Sequence, residues 1–134
     1  MIQVGREDLL RALKRLKGLA KQDILASDLT PYPEFWRAHA EARHVEYTNL
    51  IRLVEETDIE EACASAFSTY NNLPAASESN QIFAETKGKE QAIEFFFKVV
   101  GIDIEQLRFA RNEHLELQAF LSNQPQIYYE HFHS

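Results

Sequence analysis

Apolar residues recur along most of this chain at spacings of three and four, the period of an amphipathic helix, and nowhere show the alternation of a strand. In the first segment Leu9, Ala12, Leu13, Leu16, Leu19, Ala20 and Ile24 form one stripe with lysines and arginines opposite, which predicts a helix over 6–25. Gly18 falls on its solvent side, where it costs roughly 1 kcal/mol without breaking the pattern. Pro31 and Pro33 follow, placed to open a second helix, because a first-turn proline forfeits no intrahelical hydrogen bond. That helix spans 33–56, with Trp36, Ala40, Tyr47, Leu50, Ile51 and Val54 on one narrow arc.

A third helix over 58–73 opens on Asp58-Ile59-Glu60-Glu61, an acidic cap with a glutamate three residues on. Its inner face, Ile59, Ala62, Cys63, Ala66, Tyr70 and Leu73, is rich in small side chains that let a neighbour approach closely. After the polar stretch 74–80 comes a fourth helix, 80–100, which Gly88 could divide in two. Its second half (Ala92, Ile93, Phe95, Phe96, Phe97, Val99, Val100) is apolar nearly all round, which places it at the centre of the fold. Asp103 caps a fifth helix, 103–122, and Pro125 ends it before an aromatic tail, 125–134. The expected fold is all-α: one domain, an antiparallel bundle of four to five helices with an aromatic C-terminal tail.

Composition agrees and narrows the function classes. With 134 residues, 45% of them hydrophobic, the chain is long enough to bury about two-thirds of its unfolded surface without a disulfide or metal. Cys63 is the one cysteine, so no intrachain disulfide forms, and a reducing, cytoplasmic setting is expected. The charged start reads unlike a signal peptide, so none is expected, and no apolar run of membrane-spanning length occurs in the sequence. The net charge of −7 is uneven: residues 1–22 carry six basic and two acidic groups, and the rest carry eight and nineteen. A body so acidic repels nucleic acid and anionic membranes, so DNA and membrane are not expected partners and RNA is disfavoured. The basic face of the first helix then serves to complement the acidic helices beside it.

Chemistry is concentrated on two helices. Arg43 lies within the apolar arc of the second, with His39 and Glu46 beside it; Arg111, His114 and Gln118 lie within the apolar face of the fifth. If those faces meet, His39, Arg43, Glu46, Arg111, His114 and Gln118 form a partly buried polar cluster. Each arginine would then pack its methylenes inward and pair with a carboxylate, Glu46 being the nearest candidate, or reach solvent. Otherwise the cluster would hold a small ligand, or use Arg43, Arg111 and His114 as catalytic groups.

Glu41-x-x-His44 has the spacing found in carboxylate-bridged di-metal bundles, but the matching position before His114 is Arg111, a cation. No metal and no cofactor is therefore expected, and no glycine-rich phosphate loop or zinc-spaced Cys/His set is present. Residues 108–114, with Arg108 and His114 at their ends, resemble the short R-x5-H motif of HEPN-domain proteins. That resemblance implies a small, often dimeric helical bundle that cuts RNA without a metal, an arginine steadying the phosphate while His114 moves the proton. On a helix, Arg111 is the closer neighbour of His114; Arg108 sits about 120° away.

Tyr128, Tyr129 and Phe132 in the tail are too apolar to be left in water, and aromatic anchors of this kind are favoured at interfaces. They either fold back onto the bundle or dock on another subunit. The function expected is non-enzymatic: a protein-binding or regulatory module whose partner is another protein or a second copy, as in a homodimer. The alternative is the ribonuclease-like or small-ligand site at Arg111 and His114.

Overall fold

The computed structural model describes residues 4–74 and 80–113, and these are all-helical. In chain order they form α1 (Arg6–Ala26), a 3-10 turn (Ser27–Leu29), α2 (Pro33–Glu56), α3 (Ile59–Asn71), α4 (Asn80–Val100) and α5 (Ile104–Asn112). The expected caps are in place. The Asp58 carboxylate accepts from the Glu61 backbone N–H at 2.7 Å, and Asp103 accepts from the Glu105 N–H at 2.7 Å. Gly101, at φ 108°, ends α4, and the Ile102 N–H donates back to the Phe97 carbonyl at 2.8 Å. Only glycine takes that left-handed position without strain. Residues 114–122 of the expected fifth helix and the tail 125–134 lie outside the described residues.

Side-chain contacts give the helix directions. Arg43 meets Asp23 at 2.7 Å, Arg37 meets Asp28, and Arg6 reaches the Glu55 carbonyl at the opposite end, so α1 and α2 are antiparallel. Phe67 against Phe97 and Tyr70 against Glu94 set α3 antiparallel to α4; Arg108 on Glu94 and Arg111 on Glu90 do the same for α5. Helices adjacent in sequence thus alternate in direction, as expected. The exception among packed neighbours is α2 with α4: Phe35 stands against Phe83, and Gly88 lies under His39 and Ala42, so these two run parallel.

Gly88 explains how closely they pack. A Cβ at this position would overlap the backbone carbonyl oxygen of His39 and stand 3.0 Å from the Ala42 Cβ. Buried Ala84 and Ala92 lie one turn to either side, so α4 presents a strip of small residues where the α2 backbone passes. The glycine does not divide α4, which is one continuous helix. Its distal half is central, as its composition requires: Ile93, Phe96 and Phe97 are fully buried, beside Tyr47, Leu50, Val54, Phe67, Tyr70 and Leu107.

Two residues assigned to apolar stripes from periodicity are exposed, Leu19 and Trp36. Trp36 sits in the first turn of α2, beyond the level where α1 covers that helix, so its place on the arc does not bury it.

Replacing Gly88 by alanine is expected to destabilise the fold by about 1–3 kcal/mol, because the overlap with backbone exceeds the gain of roughly 1 kcal/mol in helix propensity. Gly18, with nothing within 4 Å of a built Cβ, gives the opposite sign: Gly18→Ala stabilises by up to about 1 kcal/mol. Urea unfolding of both variants checks the pair.

Candidate functional site

The polar residues divide into two groups, one shared by α3, α4 and α5 and one on α2. The first is a two-rung ladder of carboxylates and guanidinium groups. Glu90 and Glu94 are one turn apart on α4; Arg108 and Arg111 are one turn apart on antiparallel α5. Arg108 grips Glu94 in a forked pair, Nε to Oε2 and Nη2 to Oε1, both 2.9 Å. Arg111 Nη1 donates to Glu90 Oε2 at 2.7 Å, and Lys87 approaches the same carboxylate at 3.4 Å. Tyr70 of α3 joins the rungs: its hydroxyl donates to Glu94 Oε2 at 2.7 Å, and its ring lies 4.6 Å from the Arg111 guanidinium carbon, a cation–π contact.

Burial divides the ladder's energetics. The Glu94 side chain is 7% exposed, so its charge is tolerable only because three donor atoms meet it; Arg108, at 58%, keeps its own hydration. Burial works against charge on Glu90, but the Arg111 hydrogen bond and the charges of Lys87 and Arg111 hold its carboxyl below the usual range. Tyr70 is pushed the other way, by burial first and then by its bond to Glu94, so its phenol stays protonated.

The second group runs along one face of α2 at four-residue steps: His39, Arg43 and Tyr47. All three are shielded, and His39 Nδ1, Arg43 Nε and Tyr47 Oη are buried without a hydrogen-bond partner among the described residues. Arg43 spends its Nη2 on Asp23 of α1. Burial first, then the Arg43 charge, lowers the His39 pKa to about 4, with Asp23 opposing. Burial likewise lifts Tyr47 to about 12. Glu46 is buried beside this row, facing α4; burial raises its pKa against the pull of Lys89 and Asn49.

The residues expected to cluster are therefore engaged by different partners. Arg43 takes Asp23, not Glu46, and Arg111 takes Glu90. His114 and Gln118, like Tyr128, Tyr129 and Phe132, lie outside the described residues. Periodicity had not singled out Glu90, Glu94 or Asp23, and had placed Tyr70 on the inner face of the third helix without a polar partner. A signal was present for Glu94, a carboxylate inside the apolar run 92–97, and for its spacing from Glu90, which matches the Arg108/Arg111 pair.

Among the described residues the surface also holds a groove and an apolar corner. The groove, about 410 Å³, lies between α2 and α4 and is lined by Ala38, Ala42, Val45, Ile82, Thr86 and Lys89. The corner follows the α1–α2 turn, where Leu25, Leu29, Tyr32 and Trp36 are 75%, 89%, 70% and 42% exposed. Trp36 meets the Phe35 ring edge-on at 4.9 Å, and Phe35 stands 6.2 Å from Phe83, so the aromatic surface continues onto the start of α4. Among the described residues no group of three or more His, Cys, Asp or Glu is placed to hold a metal ion, and no helix is long and apolar enough to cross a membrane. Cys63 is fully buried, its thiol pushed up to about 12 by burial and then by Glu60, which leaves it unreactive.

Compared with protein-family models, curated proteins and solved structures, the chain matches none. What it does must be read from its own residues.

His39 makes the fold acid-sensitive in a defined window. Its folded pKa lies below the ordinary value of 6.5, so the unfolded chain takes up this proton first as the pH falls. The His39 contribution is full above pH 6.5, declines below it, and levels off near pH 4, where the folded imidazole also protonates. The drop amounts to about 3 kcal/mol at 1.36 kcal/mol per pKa unit. His39→Leu should remove that drop, measured as the difference from the parent in urea midpoints at pH 7, 5.5 and 4.5.

Proposed function

We propose that this protein is a non-enzymatic protein-binding module, and that the α1–α2 corner is the face that receives its partner. The observation that carries this reading is the exposure of Leu25, Leu29, Tyr32 and Trp36 on consecutive turns. Large apolar side chains gathered on one surface are characteristic of docking sites, and a tryptophan or tyrosine at the centre is a usual anchor. The rim supplies polar groups already arranged: Arg37 is paired with Asp28, and Asp23 with Arg43, so neither pair leaves a bare charge beside an apolar partner.

What favours this over ribonuclease or small-ligand chemistry is the state of the arginines. A phosphate or other anion arriving at Arg108 or Arg111 would compete with Glu94 or Glu90, each already bonded at 2.9 Å or less. Arg111 is further held over the Tyr70 ring. These guanidinium groups tie α5 to α4, each through a carboxylate that it already holds.

The reading is tested by placing a photo-crosslinking phenylalanine analogue at position 29, with position 52 as control, because Arg52 is exposed near the far end of α2. Irradiation in host cells should give an adduct from position 29 with an identifiable protein, another species or a second copy, and none from position 52. No protein adduct from position 29, or the same adducts from both positions, would remove the corner as the binding face.

A further inference from the structure

We infer that the partner received at the corner is an acidic segment of a protein, laid along the outer face of α1 with its apolar end at Leu25 and Leu29. This rests on the corner being a docking face, and it adds the chemistry of what docks there. The basic face of α1 was expected to complement the acidic helices beside it, and the structure shows little of that. Arg11 pairs with Asp8 of its own helix, and Lys14 stands 4.0 Å from Glu55 of α2. Arg6 gives its guanidinium to the Glu55 backbone carbonyl. Arg15, Lys17 and Lys21 have no carboxylate within ion-pair distance among the described residues.

Four of these cations share one strip. At about 100° per residue, Arg11, Lys14, Arg15 and Lys21 lie within about 60° of Gly18, on the side away from buried Leu9, Leu13 and Ala20. All four are exposed. Gln22 and Leu25 continue the strip, and Leu25 is already the first residue of the corner. From Arg11 to Leu25 the strip is about 21 Å long. At its middle Gly18 has no side chain, and nothing lies within 4 Å of where a Cβ would stand, so a docked backbone can come close between the cations.

Charge then selects the partner. The Arg11–Asp8 and Lys14–Glu55 pairs are at least half exposed on both sides, so a partner carboxylate competes with them at small cost. The strip is also narrow. Asp8 and Glu55 border it, and Asp28 stands 75% exposed beside the corner. A broad anionic surface, a duplex or a membrane, would meet these carboxylates on a chain of net charge −7. A single segment carrying Asp or Glu fits between them. The corner then supplies the apolar anchor, while the strip steers the partner and fixes its direction.

The test extends the crosslinking pair to Gln22, on the strip, with the photoreactive analogue placed there or at position 29. In host cells both positions should capture the same protein, and the partner peptide joined at position 22 should carry net negative charge. R15E/K21E should cut the adduct yield from position 29 at least about tenfold, because two attractions become repulsions. Arg52→Glu, far from the strip, should leave it unchanged. Thermal unfolding checks that R15E/K21E still folds, and R15Q/K21Q gives the milder comparison if it does not. Three results overturn the inference and leave the corner standing: an adduct from position 29 without one from 22, a joined peptide lacking Asp and Glu, or a yield indifferent to the charge reversal. Nucleic acid or lipid joined at position 22 overturns it as well and assigns the strip to that polyanion. No adduct from either position removes strip and corner together.

Discussion

The close, parallel contact of α2 with α4 at Gly88 is the constraint on which the rest of this structure depends. With no side chain at that point, the α4 backbone passes directly beneath the His39 carbonyl, and Ala42, Ala84 and Ala92 keep the interface narrow. Because the two helices run the same way, their starts share one pole of the molecule. That single geometric fact brings Phe83 to Phe35 and extends the aromatic surface from Trp36 across two elements. It also leaves the distal half of α4 to be enclosed by α3 and α5, where Phe96 and Phe97 fill the core.

Enclosing the half of α4 that carries Glu90 and Glu94 has a physical consequence. Glu94 is too buried to stand alone, so α3 answers with a phenol and α5 with a forked guanidinium; Glu90 takes the second arginine one turn away. A nine-residue helix has little apolar area of its own to hold it, and these bonds fix both its position and its direction. Arg108 and Arg111 thus hold α5 to α4. The α1–α2 corner, by contrast, presents large apolar side chains to solvent.

The helices, their caps and the central place of α4 could be read from periodicity and from the two acidic entry signals, because both are local properties. The alternation of direction followed from short connectors. Partner choice among charged residues was not legible, because it depends on which helices become neighbours: Arg43 chose Asp23 across α1, and Arg111 chose Glu90 across α4. Helical period likewise assigned Trp36 to the core, where arc position is necessary but coverage by a second helix decides. Gly88 raised the question of a break in α4, and only the passing backbone of α2 shows why a glycine is needed there.

Whether α2 and α4 are parallel neighbours is the claim from which the shared pole and the extent of the corner follow. A nuclear Overhauser spectrum of the intact protein measures it most directly. The account requires cross-peaks between the Phe35 and Phe83 rings and between Gly88 and Ala42, alongside Phe67 to Phe97. Contacts from Phe35 to residues at the other end of α4, near Val99 and Val100, would mean the helices run antiparallel and would contradict it.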